Sequence, residues 1–93
     1  MHFKQTIAVV NDERNILISL RLALENLGYD VRTYGDPLTA LQELTTRSPD
    51  LAILNGRMPR MHGIELFRRL REHSNMPVIF LSASAEEIAR LAD

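Results

Sequence analysis

Four short apolar runs divide the chain into repeating units. They occupy residues 7–10, 31–34, 51–54 and 78–81, and their length and β-branched content predict strands. Three of the runs are continuously apolar, which is typical of parallel strands that helices cover on both faces. The run at 31–34 alternates between apolar and polar residues, so we expect it at an edge of the sheet.

Segments with helical spacing separate these strands. The first ends at Gly28, a residue suited to a left-handed C-terminal cap. The second begins at Asp36-Pro37, an N-cap followed by a first-turn proline, and ends near Arg47. A capping box at 84–87 predicts the start of a fourth helix after the third. The predicted core stripes are Ile16, Leu20, Ala23, Leu24 and Leu27; Leu38, Leu41 and Leu44; Ile64, Phe67, Leu70 and the stem of Arg71; and Ile88 and Leu91.

The elements alternate as βαβαβαβα. Short connections between parallel strands require right-handed crossovers, which predicts an α/β fold with a doubly wound parallel sheet. A chain of 93 residues has room for one domain. In such sheets ligands bind beyond the carboxyl ends of the strands, where the strand order reverses. We therefore look for function at the strand exits.

Composition narrows the classes of function. The absence of cysteine excludes disulfides, thiol catalysis and Cys-ligated metal, and it fits a cytoplasmic protein. The formal charge of −1 gives no general attraction to nucleic acid or to anionic membranes. No apolar run is long enough for a signal peptide or a membrane span. The sequence therefore predicts a cytoplasmic domain with neither a nucleic acid nor a membrane as its partner.

Polar residues follow three of the predicted strands. They are, in chain order, Asn11, Asp12, Glu13, Asn55, Arg57 and Ser82. Oxygen-bearing groups on neighbouring strand ends are the ligands that Mg²⁺ prefers, and a hydroxyl beside them can hold a phosphoryl oxygen. The alternative is that these residues only cap loops and helices, since acidic residues are favoured in a first helical turn. Their combination at adjacent strand ends favours a functional site.

Three stretches resemble the receiver domain of bacterial response regulators, the CheY-like superfamily. They are residues 7–13, residues 50–63 with a Met-Pro-x-Met-x-Gly turn, and residues 77–83, which end in Ser-Ala. The stretches at Arg14 and Met58 are most similar to OmpR/PhoB-type receivers. The resemblance implies a flavodoxin-like fold of five βα units, of which residues 1–93 hold four. We expect one truncated receiver-like domain with strand order 2-1-3-4, without the fifth strand and helix.

The resemblance implies an input module of a two-component phosphorelay, with a histidine kinase or phosphotransfer protein as partner. In the family, an Asp at the end of the third strand accepts the phosphoryl group, and a hydroxyl at the position of Ser82 turns toward it. Here the acceptor position is Asn55, and a carboxamide is a poor nucleophile. We therefore expect no catalytic residue and no enzymatic activity, but a degenerate pseudo-receiver that acts by protein–protein interaction.

The resemblance also implies a weakened metal site. Its candidate ligands are Asp12, Asn55, the backbone carbonyl of Arg57 and, more weakly, Asn11, where the family has an acid. Affinity at such sites follows the charge of the ligands, so we expect weak Mg²⁺ binding and no requirement for a cofactor. The family's Lys after the fifth strand has no counterpart, because Lys4 is the only lysine and precedes the first strand.

Two alternatives to the pseudo-receiver stay open. The first is a phosphoaccepting receiver, phosphorylated on Asp by a histidine kinase with Mg²⁺, seen here in a truncated and site-mutated form. The second is regeneration of an acid at Asn55, because the following Gly56 leaves the amide carbon open to backbone attack. His62, where the family's turn usually has Asp, is a weaker helix cap.

Two surfaces are predicted to bind proteins. Without a fifth strand, residues 78–81 form an uncharged apolar edge, which predicts a homo-oligomer. In the family the first helix meets the kinase, so the resemblance implies a docking surface at Asn15, Ile18, Ser19 and Leu22; the alternative is ordinary helix packing. Residues 57–73 hold five arginines against two glutamates, which we interpret as a solvated helix face.

Overall fold

The structure, a computed structural model, describes residues 4–81. Within them lie β1 (Thr6–Val10), α1 (Arg14–Asn26), β2 (Asp30–Tyr34), α2 (Pro37–Thr46), β3 (Leu51–Asn55), α3 (Gly63–Arg71) and β4 (Val78–Leu81). The four strands and three of the helices predicted from the sequence are thus confirmed. The helix predicted from the capping box at 84–87 and the hydroxyl of Ser82 lie outside the described residues. None of the described helices is both long and apolar enough to span a membrane.

The four strands form one parallel sheet in the order β2-β1-β3-β4. This confirms the expected order 2-1-3-4 and the position of the alternating strand β2 at an edge. Val10 of β1 lies opposite Leu54 of β3, so these two strands end side by side. The chain leaves β1 and β3 in opposite directions across the sheet, which places a crevice between their carboxyl ends.

One face of the sheet packs against α2 and α3. The strand residues Ala8, Val10, Ala52 and Leu54 are completely buried on this face. The helices contribute Ala40, Leu44, Leu66 and Leu70 to the same cluster. The predicted stripes omitted Ala40 and Leu66, and they wrongly included Leu38, which is exposed. This interface uses small as well as large residues at adjacent helical positions. Spacing alone therefore did not distinguish the buried positions from the exposed ones.

The opposite face packs against α1. Its buried strand residues are Ile7, Val9 and Val31, and the helix contributes Leu17, Leu20 and Leu24, none of them fully buried. The predicted stripe was wrong at Ala23 and Leu27, which are exposed, and it missed Leu17. Among the described helices α1 stands alone on this face, so only a narrow stripe of its surface meets the sheet.

Helix ends follow the sequence signals at α1 and α2. Asp36 caps α2, because its carboxylate accepts hydrogen bonds from Thr39 N at 3.2 Å and from Thr39 Oγ1 at 3.0 Å. Gly28 follows α1 with a φ of +98°, the left-handed conformation that glycine adopts at little cost. His62 precedes α3 without making a side-chain cap, as expected for imidazole in place of a carboxylate.

Gly63 brings the start of α3 against the end of β3. A Cβ at this position would collide with the carbonyl of Asn55, and the Gly63 amide donates to the carbonyl of Gly56 at 3.1 Å. Glycine is therefore required here by close backbone approach rather than by an unusual φ. This contact fixes the exit of β3, where the predicted functional residue Asn55 lies.

Candidate functional site

The ends of β1 and β3 place two asparagines side by side. Asn11 is 2% exposed and Asn55 is 9% exposed, and within residues 4–81 they are the two buried polar side chains. Burial of an amide is costly unless its donors and acceptors find partners. No buried side-chain nitrogen or oxygen in this part of the chain lacks a partner. The partners of the two amides therefore define what the site can do.

The side-chain amide of Asn55 donates to two oxygens. Its Nδ2 lies 3.1 Å from Asp12 Oδ1 and 2.7 Å from the backbone carbonyl of Arg57. The structure thus brings together three of the predicted metal-ligating groups. An amide N–H donates and does not coordinate, and here it meets the two oxygens that a cation would need. The geometry therefore fits a closed hydrogen-bonded site better than a Mg²⁺ site.

Asn11 stabilises the loop between β1 and α1. Its backbone amide donates to the carbonyl of Tyr34 at 3.1 Å, and its Oδ1 accepts from the backbone amide of Glu13 at 2.9 Å. The second bond is an Asx turn, a local device by which Asn shapes a loop. Because Oδ1 is engaged within the loop, Asn11 is poorly placed to act as the fourth metal ligand.

The charge of the site is reduced to that of Asp12. Asp12 is exposed and is the carboxylate bonded to Asn55. Among the described residues no group of three or more acidic, histidine or cysteine side chains is arranged to hold a metal ion. Hard cations such as Mg²⁺ depend on anionic oxygens, so the site attracts them weakly. Lys4 precedes β1, at the opposite end of the sheet, and adds no charge here.

Sequence reasoning missed a contact between two loops beside the site. Arg60, in the loop before α3, has a φ of +69°, and its Nη1 lies 3.3 Å from Asp36 Oδ1. Desolvation raises the pKa of the Asp36 carboxyl, but hydrogen bonds from Thr39 and the charge of Arg60 outweigh it, so the pKa is lowered. An arginine gives no sequence signal for a positive φ, because glycine usually occupies such positions.

The arginines between residues 57 and 73 interact within the protein. Arg69 pairs with Glu65 at 3.1 Å, and the Arg71 guanidinium lies 4.4 Å from the centre of the Phe67 ring. Arg57 and Arg68 also have interactions of their own. These contacts support the interpretation of α3 as a solvated helix face.

The predicted docking residues Asn15, Ile18, Ser19 and Leu22 form an exposed stripe along α1. Ile18 is 47% exposed and Leu22 is 64% exposed, and the two lie one helical turn apart. Neither side chain belongs to the core clusters of the described residues. Both side chains are therefore accessible on the surface formed by residues 4–81.

Comparison with known proteins places these features in a family. Residues 7–92 match the family model described as "Response regulator receiver domain". The chain is 40% identical over 86 residues to the alkaline phosphatase synthesis transcriptional regulatory protein PhoP of Bacillus subtilis, covering 91% of this chain and 36% of PhoP. It is 33% identical over 85 residues to the DNA-binding response regulator MtrA of Mycobacterium tuberculosis, covering 91% and 37%. Both relatives are OmpR/PhoB-type regulators, as the sequence resemblance indicated.

Solved structures give the same result for the fold. The chemotaxis protein CheY4 of Vibrio cholerae superposes with a TM-score of 0.86 at 25% identity, covering 94% of this chain and 77% of that one. A receiver domain from Methanoculleus marisnigri superposes with a TM-score of 0.85 at 29% identity, covering 95% and 76%. The chain spans just over a third of the length of the curated relatives it matches.

The environment of Asn55 predicts resistance to deamidation in the folded state. The reaction requires the Gly56 nitrogen to attack the Asn55 side-chain carbon, but the Gly56 N–H donates to the carbonyl of Leu81 at 2.9 Å. The leaving amide is itself held by two hydrogen bonds. We expect no one-dalton gain at Asn55 in folded protein and a clear gain in urea, measured by peptide mapping after ageing. Equal rates in both conditions would contradict this.

Proposed function

The chain belongs to the response regulator receiver domain family of two-component signalling, and from that premise we propose that it acts as a pseudo-receiver. Receiver domains are generally non-catalytic signalling domains that interact with histidine kinases or phosphotransfer proteins. They typically bind Mg²⁺ at the phosphorylation site. In this chain the signal is carried by protein–protein interaction without transfer of a phosphoryl group to residue 55.

The observation that carries the proposal is the position of the Asn55 amide. A phosphoacceptor needs an anionic oxygen that faces the donor and a cation beside it. Here the amide nitrogen donates to Asp12 and to the Arg57 carbonyl, so the groups that would ligate a cation are already satisfied. Mg²⁺ binding through Asp12, Asn55, Arg57 and Asn11 would require both amides to leave their present partners.

The runner-up function is a phosphoaccepting receiver in which asparagine stands in place of aspartate at positions 11 and 55. One observation favours it: the backbone of the site has the arrangement of the family, since the ends of β1 and β3 lie side by side. Restoring the two carboxylates would then restore phosphoryl transfer to residue 55. The two functions differ in whether the chain accepts a phosphoryl group once both carboxylates are restored.

Incubation with acetyl phosphate and Mg²⁺ separates the two functions. We expect the unmodified chain to gain no phosphoryl mass and no thermal stability with Mg²⁺, because its site carries one carboxylate. The double variant Asn11→Asp, Asn55→Asp is expected to gain Mg²⁺-dependent stability, since bound metal stabilises the folded state. Intact-protein mass spectrometry and melting curves provide the measurements.

Asn15→Asp is the matched control for that experiment. It adds one negative charge, half that of the double variant, at an exposed position of α1 outside the hydrogen bonds of Asn11 and Asn55, and should behave like the unmodified chain. Phosphoryl labelling of the unmodified chain would overturn the pseudo-receiver, and labelling of the double variant alone would favour the runner-up.

The partner is proposed to dock on the stripe formed by Asn15, Ile18, Ser19 and Leu22. Two exposed aliphatic side chains flanked by small polar residues are suited to a helical partner such as a histidine kinase or phosphotransfer domain. Against a panel of purified phosphotransfer domains, Leu22→Glu should weaken binding about tenfold, since it places a charge in an apolar contact. Isothermal titration calorimetry measures the change.

Leu38→Glu is the control for the docking surface. Leu38 is an exposed leucine on α2, outside the stripe, so its substitution should leave affinity unchanged. Equal losses from the two variants would remove α1 as the docking surface.

A second proposed interaction is self-association through β4. Among residues 4–81, β4 pairs with β3 alone, and Ile79 is 49% exposed. An uncharged apolar strand of this kind is a template for pairing with another strand. The occupant we propose is β4 of a second copy of the chain.

Sedimentation over a range of concentrations tests the β4 interface in the 93-residue chain. We expect concentration-dependent dimerisation that Ile79→Lys abolishes, because a charge on an edge strand opposes strand pairing. Ile18→Lys, at a similarly exposed isoleucine on α1, should leave dimerisation intact. A monomer at every concentration would refute the interface.

A further inference from the structure

The loop before α3 contains a strained turn between two buried anchors. Met58 and Met61 are both buried, whereas Arg60 between them is exposed. The Met61 amide donates to the carbonyl of Pro59 at 2.8 Å, which makes a three-residue γ-turn centred on Arg60. With a φ of +69°, this residue has the left-handed conformation that is unfavourable for side chains other than glycine. The buried side chains of Met58 and Met61 hold the turn on both sides.

Arg60 also forms an ion pair with the cap of α2. Arg60 Nη1 lies 3.3 Å from Asp36 Oδ1, while Asp36 Oδ2 accepts from the backbone amide and hydroxyl of Thr39. One carboxylate therefore caps α2 and holds the turn. A cavity of about 150 Å³ lies between the two loops and is lined by Gly35, Asp36, Pro37, Pro59 and Arg60. The ion pair spans the two loops beside this cavity.

The same loop carries the groups that close the site at Asn55. The carbonyl of Arg57 accepts from the Asn55 amide, and the carbonyl of Gly56 accepts from Gly63 at the start of α3. Arg57 is one residue from the first anchor, Met58. Movement of the turn would therefore be transmitted over a short stretch of backbone to the hydrogen bond on Asn55.

We propose that Arg60 and Asp36 form a latch that holds the strained Pro59–Met61 turn and thereby keeps the Asn55 site closed. Breaking the ion pair between Arg60 and Asp36 opens the Asn55 site without any phosphoryl group. An exposed ion pair stabilises only weakly and backbone strain opposes it, so the latch opens readily. The lowered pKa of Asp36, in which Arg60 has a part, is consistent with a charged pair. The inference goes beyond the proposed function and holds whether or not residue 55 is phosphorylated.

Amide hydrogen exchange followed by NMR tests the latch. Arg60→Ala removes the guanidinium but keeps a strained side chain, and Asp36→Asn keeps an oxygen to cap α2 but removes the charge. Each should speed exchange of the Met61 amide and the Asn55 side-chain amide about two- to fivefold, the range expected for loss of an exposed ion pair. Arg60→Gly, which relieves the strain, should exchange more slowly than Arg60→Ala.

Two controls separate the latch from general loosening of the fold. Arg69→Ala removes a comparable exposed ion pair, with Glu65, and should leave the loop unchanged. Exchange at Val9 and Leu54 in the sheet reports global stability and should match in all variants. Raising NaCl from about 0.05 to about 0.5 M should speed loop exchange in the unmodified chain but not in Asp36→Asn, because salt screens exposed charges. Unchanged loop exchange in both Arg60→Ala and Asp36→Asn would overturn the latch.

Discussion

The two hydrogen bonds from the Asn55 amide join the loops that follow β1 and β3, which lie 43 residues apart in sequence. They connect the end of β3 to Asp12 after β1 and to the carbonyl of Arg57 in the loop before α3. The Asn55 amide is buried and would be costly if left unsatisfied, so its two hydrogen bonds stabilise the crevice. The arrangement depends on the parallel register that ends β1 and β3 together, and on Gly63, which lets α3 start against the Asn55 backbone.

Strand prediction succeeded because both faces of the sheet impose strong constraints. Residues 7–10 and 51–54 are apolar throughout since both sides of each strand are covered, whereas β2 alternates at the edge. The start of α2 was also predictable, because Asp36 and Pro37 each supply a local physical reason for a helix to begin there. These features depend on contacts close in sequence or on burial that every residue of a strand experiences.

The features that the sequence did not predict depend on which way a helix face or a side chain is oriented, and residue type alone does not specify that orientation. Periodicity placed Leu27 in the core and omitted Leu17, because it does not say how wide a stripe of α1 meets the sheet. The presence of Asn55 predicted a lost nucleophile, but not that its nitrogen would face Asp12. The positive φ of Arg60 was also not predicted, since arginine carries no local preference for that conformation.

Replacement of acids by amides also changes the energetics of the crevice. Carboxylates at positions 11, 12 and 55 would repel one another in a partly buried site, and each would need a cation or hydrogen-bond donors to remain ionised. An amide carries a donor and an acceptor in one group, so Asn11 bonds its own loop while Asn55 supplies donors to its neighbours. The same substitution that removes the nucleophile thereby removes the repulsion that makes such a site depend on metal. A receiver of this composition can hold one conformation by its own hydrogen bonds.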